Sequence, residues 1–307
     1  MRRLLSGLFV AAAALVTAIP VLAAADGVAL KSHKKAVDAV AISPDGKVIA
    51  SAGDDGSVLV WDGDKVTATR DGDGTAIEAI AFSPSGALIA LGTMYGQVAV
   101  WDRTSNKAVF DVKGHDGRVA RIAFLPDGKS LLTASWDHDI KLWDATTGKE
   151  LGKLAGHKYN VHGLVVSADG KQLFSCDAGG NVSRWDVKTR KAGTSYTPNK
   201  AECHALALSA DGKTLAAGYS DGVVVFVDPA TGKEQRRAKV ADSVNALAFA
   251  GDGKLVVGTQ AEELQIVDVA GAVTARKGHD RPITAVAADG KRTVTGSMDM
   301  TVRVWTP

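Results

Sequence analysis

Cysteine is scarce: the 307 residues hold two, and neither CxxC nor CxxCH occurs. That excludes a disulfide scaffold, a cysteine-rich structural zinc site and c-type haem attachment by that motif. An excess of one charge is also missing, since 36 Lys+Arg face 34 Asp+Glu for a net charge of +2. The concentrated basic surplus of a nucleic-acid-binding domain is therefore absent, as is the high net charge of a disordered acidic chain. Aromatic residues make up only 6%. What the chain does have is 33 glycines and 46% apolar residues. That suffices for one or two domains with a real core, rich in tight turns and close-packed sheet.

One apolar run stands apart. Arg2 and Arg3 precede a stretch from Leu4 to Ile19, Pro20 breaks it, and Ala23-Ala24-Ala25 offers small residues. This is the pattern of a secretory signal over 1–25, cleaved before Asp26. A run of about 16 residues is shorter than the roughly 20 needed to span a bilayer, so no membrane span is expected after cleavage. Arg2 and Arg3 are the only charged residues in this segment. The remaining chain is then neutral, with 34 charges of each sign once those two are taken from the 36 basic residues.

Internal repeats dominate the rest. Trp-Asp occurs at Trp61-Asp62, Trp101-Asp102, Trp143-Asp144 and Trp185-Asp186, Val-Asp follows at Val227-Asp228 and Val267-Asp268, and Trp305 closes the series. These positions are 38 to 42 residues apart and mark seven repeats. A second column is a turn: SPDGK from Ser43, SPSG from Ser83, LPDG from Leu125, SADGK from Ser167 and Ser209, GDGK from Gly251 and ADGK from Ala288. Asp-Gly and Ser-Gly are hairpin chemistry, the glycine taking positive φ. Short β-branched and Ala-rich runs flank each turn. Four short strands per unit of about 40 residues describe a propeller blade, so the expected fold is all-β, a seven-bladed propeller filling 26–307.

These motifs resemble those of the WD40-repeat family, and the resemblance covers essentially the whole chain after residue 25. It implies a structural tetrad in which a loop His, a strand Ser or Thr, a turn Asp and the closing Trp are hydrogen-bonded. Matching residues are His33, Ser51, Asp55 and Trp61 in blade one, His115, Thr133, Asp137 and Trp143 in blade three, and His279, Thr295, Asp299 and Trp305 in blade seven. Blade four keeps His157, Ser175 and Trp185 but has Gly179 where Asp is expected. Blades two, five and six depart further. The seventh blade ends after its third strand, and Val28-Ala29-Leu30 matches an outer-strand segment, so residues 27–31 are expected to pair beside Val302–Trp305 and close the ring.

Other motifs carry weaker chemistry. Gly218-Tyr219-Ser220-Asp221-Gly222 fits the G-x-S-x-G pattern of a nucleophile elbow but lacks the following helix. DATTGKEL from Asp144 and DPATGKEQ from Asp228 resemble loops of pyrroloquinoline-quinone propeller dehydrogenases, and also ordinary turns between outer strands. Asp71-Gly72-Asp73-Gly74 begins like a calcium loop but lacks its later ligands. Cys176 and Cys203 fall towards the same end of neighbouring blades, as a disulfide or as two buried thiols.

The functional expectation rests on two columns. The second residue of each innermost strand reads Asp38, Glu78, Ala120, His162, His204, Asn245 and Thr284, a polar ring at the channel mouth that is either hydrated or metal-competent. The residue before the turn Asp, which the resemblance points outward on the face carrying the repeat-opening loops, reads Asp54, Met94, Trp136, Ala178, Ser220, Gln260 and Met298. Trp136 is the one tryptophan outside the structural column. With Met94, Met298, Arg118 and Tyr159 it forms an expected partner-binding patch, because Trp, Met and Arg concentrate in binding hot spots, and the same face adds Asp38, Glu78, His162 and His204 to that patch. The reading is an exported, periplasmic or secreted, monomeric scaffold for protein partners, accessory to an envelope complex, with no catalytic residues, cofactor, metal or nucleic acid. The alternative is a periplasmic propeller enzyme using a quinone or metal.

Overall fold

In a computed structural model, which describes residues 27–306, twenty-eight strands form seven antiparallel sheets of four, and no helix occurs among the described residues. In each blade the strand after the loop lies innermost and touches its counterparts in the two adjacent blades. The turns do what their sequences require. Gly46 takes φ 68° and its amide bonds the Ser43 carbonyl at 2.8 Å, while the Ser43 hydroxyl donates to Asp45 at 2.7 Å.

Both faces of each sheet are buried against neighbouring blades, so the core is a series of layers between sheets. One consequence is written in glycine. A Cβ on Gly218 would stand 2.4 Å from Val244 Cγ1 of the next blade, and one on Gly258 2.7 Å from Ile283 Cγ2. Any larger residue there would push two blades apart, at a cost of about 1–3 kcal/mol from overpacking.

Ring closure is as expected from the sequence. Strand Val28–Lys31 pairs with strand Thr301–Trp305 in antiparallel register, Val28 opposite Val304 and Lys31 opposite Thr301. Leu30 is buried with Val37, Ile49 and Val302, which ties the two ends of the chain to blade one. Closure leaves only short, protected edges. Residues 1–25, expected from the sequence to be a secretory signal, lie outside the described residues.

Candidate functional site

The frame around the site comes from the tetrads. In blade three, Trp143 Nε1 donates to Thr133 Oγ1 at 2.8 Å, and His115 Nε2 lies 2.6 Å from the same oxygen. An indole N–H can only donate, so the hydroxyl proton goes to His115 Nε2. The imidazole is left with its proton on Nδ1, which donates to Asp137 Oδ2 at 2.8 Å. Blades one and seven repeat the pattern with Ser51 and Thr295 as the central hydroxyls. Burial lowers the pKa of His33 and His279 despite their aspartates, in keeping with a neutral ring.

Blade four corrects the expectation at Gly179. Its tetrad is complete, because Asp177, two residues earlier, accepts from His157 Nδ1 at 2.6 Å. Gly179 has a different reason to be glycine: a Cβ would lie 2.5 Å from the Tyr159 ring. Asn181 donates to the second oxygen of Asp177 at 2.9 Å, completing its shell. In blade two, Trp101 Nε1 turns to Asn106 Oδ1 at 3.2 Å, and a cavity of about 190 Å³ stands beside Asp71, Asp73 and Thr75. Asp73 accepts from the Thr75 amide at 2.9 Å, as a turn residue does.

The remaining motifs resolve into turns. Gly218 lies against the next blade near the end of strand Leu215–Tyr219, Gly222 takes φ 77°, and strand Val223–Val227 follows at once, so Ser220 occupies a hairpin. The Asp144 carboxylate collects the amides and hydroxyls of Thr146 and Thr147, which hold its pKa down at about 2. Cys176 and Cys203 are both thiols, and Cys176 Sγ donates to the Cys203 carbonyl at 3.3 Å.

The channel mouth gathers most of the predicted binding residues. Asp38, Glu78, Arg118, Trp136, His162, His204 and Met298 line one cavity of about 390 Å³, with Asn245, Gln260 and Thr284. Met94 and Tyr159 do not line it, although both are exposed, 40% and 51% respectively. Trp136 anchors the arrangement. The Arg118 guanidinium lies 4.7 Å over its ring, and the His162 ring meets it edge-on at 5.3 Å. His162 in turn lies 5.2 Å from His204, whose Nε2 is 3.3 Å from Glu202. Arg118 is also hydrogen-bonded to Glu78. Held on two sides, Trp136 still keeps 36% of its surface open.

Charge is divided across this mouth. Burial, followed by repulsion from Glu78 and Asp54, pushes the Asp38 carboxyl up to about 7. Burial together with His204, Arg121 and Arg118 pushes His162 down to about 4. Asp38 and Glu78 stand on blades one and two, Arg118 and Arg121 on blade three, and Glu202 on blade five. Among the described residues no three His, Cys, Asp or Glu side chains are grouped to hold a metal ion. Two lining residues were missed by the sequence reading, Glu202 and Arg121.

Comparison with known proteins completes the picture. Residues 26–62 and 272–306 match the WD domain, G-beta repeat, and residues 80–168 match the WD40 domain of anaphase-promoting complex subunit 4. Residues 169–280 match a domain of unknown function, DUF7165. No curated protein matches the chain. The WD40 matches together span just over half of the sequence, the tetrads sit where those repeats require them, and the ring has seven blades. The chain belongs to the WD40-repeat β-propeller family.

Proposed function

We propose that this propeller is an exported, non-catalytic platform that docks a protein partner across the mouth around Trp136. The observation that carries this reading is the state of Trp136 itself. Its indole is braced by Arg118 and His162 yet a third open, so a partner would bury it at little cost in side-chain entropy. Met298 on the rim, 40% exposed, supplies an adaptable apolar neighbour. WD40 propellers commonly serve as interaction scaffolds, and the charged N-terminal start with its apolar run supports export.

The test is Trp136→Ala. The melting temperature should shift by no more than a few degrees, while recovery of the natural partner in a pull-down from the native host falls at least about tenfold. Unaltered recovery refutes the assignment. Cell fractionation checks export separately: the mature chain should appear outside the cytoplasm, beginning at Asp26, and a chain retained in the cytoplasm contradicts it.

A further inference from the structure

Along the channel wall one side chain differs from all its counterparts. Every innermost strand carries a bulge between its first and third residues, as between Val119 and Arg121. A bulge re-aims side chains, so the second and third residues both turn to the channel. The third is alanine in five blades and glycine in blade four, but Arg121 in blade three. Its guanidinium crosses the channel, donating to its own Ala120 carbonyl at 2.7 Å and to the Asn245 carbonyl of blade six at 3.3 Å. Burial lowers its pKa, with Arg118 adding to the effect.

Among the described residues this guanidinium forms no ion pair, although the Glu78 carboxylate acts on it electrostatically. Glu78 is committed to Arg118, Glu202 approaches His204, and no carboxylate among the described residues forms an ion pair with Arg121. Asp38 has the opposite deficiency. Its Oδ2 is buried without a hydrogen-bond partner, and it forms no ion pair either. Both groups line the 390 Å³ cavity and a second space of about 130 Å³, yet they do not pair with each other. A carboxyl and a guanidinium that are partly buried, face one space and lack an ion-pair partner are costly to keep. A ligand carrying both complementary charges would offset both.

We propose that the channel mouth binds a small zwitterion of the amino-acid or short-peptide class, its carboxylate on Arg121 and its ammonium on Asp38. A simple anion would meet Asp38, Glu78 and Glu202; a simple cation would meet Arg118 and Arg121. Neither answers both unpaired groups. A guanidinium suits a carboxylate because it donates in a planar fork. The cavity volume lies in the range of small-ligand sites, and Asn245 and Gln260 add polar groups at its wall. This site does not depend on the proposed protein partner, since purified propeller alone tests it.

The experiment is titration calorimetry with glycine, diglycine and triglycine, which place the two charges at increasing separation. Acetylated diglycine and diglycine amide are the controls lacking one charge each. One of the three zwitterions should bind with a Kd at or below about 1 mM, and either blocked form should bind at least about tenfold more weakly than its parent. Asp38→Asn should abolish the preference for a free amine but keep that for a free carboxylate, and Arg121→Gln should do the reverse. No binding of any zwitterion at about 10 mM, or equal binding of blocked and free forms, overturns the proposal on the unmutated protein, whatever the variants do.

Discussion

Blades three and six solve the same packing problem with opposite chemistry. Blade three holds its loop to its sheet through His115, Thr133, Asp137 and Trp143, all hydrogen-bonded. Blade six has Val240, Val257, Ala261 and Val267 at the equivalent positions, and its three valines share one buried cluster. Blade five is intermediate: Asn199 donates to both oxygens of Asp221 at about 3 Å, while Ala217 and Val227 replace the hydroxyl and the tryptophan. A buried polar network and an apolar plug are therefore interchangeable here as long as each is complete. Incomplete versions of either leave a polar group without a partner, and that is the costly state.

The comparison can be broken in several ways. The largest effect should come from removing what makes the blades a ring. Deleting residues 27–31 strips strand Val28–Lys31 from Thr301–Trp305 and uncovers a sheet edge, so the melting temperature should fall by roughly 10 °C or more, with aggregation. An unchanged melt would mean that closure contributes little.

Next come two substitutions of nearly equal shape. Thr133→Val removes one hydroxyl from blade three and leaves Trp143 Nε1 and His115 Nε2 unpaired, at an expected cost of about 2–4 kcal/mol in denaturant unfolding. Val257→Thr adds one hydroxyl to blade six, where nothing polar waits for it, and should cost about 1–3 kcal/mol. Opposite changes should thus both destabilise. If either is neutral, the two blades are not complete in the sense described.

Acid should separate the blades as well. His33 and His279 have lowered pKa values, so the stability they contribute is present above about 6.5 and declines as pH falls below it. In Asp55, Asp177 and Asp299 burial acts to raise the pKa, but hydrogen bonds outweigh it and the net shift is down. Their contribution is present above about 3.9 and lost at lower pH. Melting temperature should therefore fall in two stages on acidification below about pH 6.5. Hydrogen exchange should show the tetrad loops opening before the blade-six loop.

The smallest effect has the opposite sign. Asp38 titrates near 7, raised from its unfolded value, so the stability its protonated form contributes is lost as pH rises through about 7. Asp38→Asn should therefore stabilise the protein by about 1–2 kcal/mol at pH 8 and by less at pH 5. A residue that lowers stability where it stands is the usual mark of a binding site.

Much of this was legible in the chain. The Trp column, the Asp-Gly turns and the matching outer strand at Val28–Leu30 determine blade number, strand order and closure, because each is a local pattern repeated at a fixed period. Of the rim column, Trp136, Gln260 and Met298 line one cavity with residues of the polar column, while Met94 does not. Two residues escaped for physical reasons. Asp177 sits at the end of a strand, two places before the expected turn position, and only the reach of its side chain across to His157 reveals its role. Arg121 reads as outward-facing by simple strand alternation, and only the bulge before it turns it inward. Comparing the third residue of every first strand would have exposed it, since six of the seven are Ala or Gly.

The central claim is that the blades form the frame and the mouth around Trp136 does the binding. Site-specific photocrosslinking in the native host tests it most directly, with the photoreactive residue placed at Gln260 or Met298 on the mouth and at Lys47 or Lys213 on the opposite hairpin turns. The account predicts one discrete protein adduct from the two mouth positions and none from the turns. Adducts confined to the turns, or equal from both faces, would contradict it.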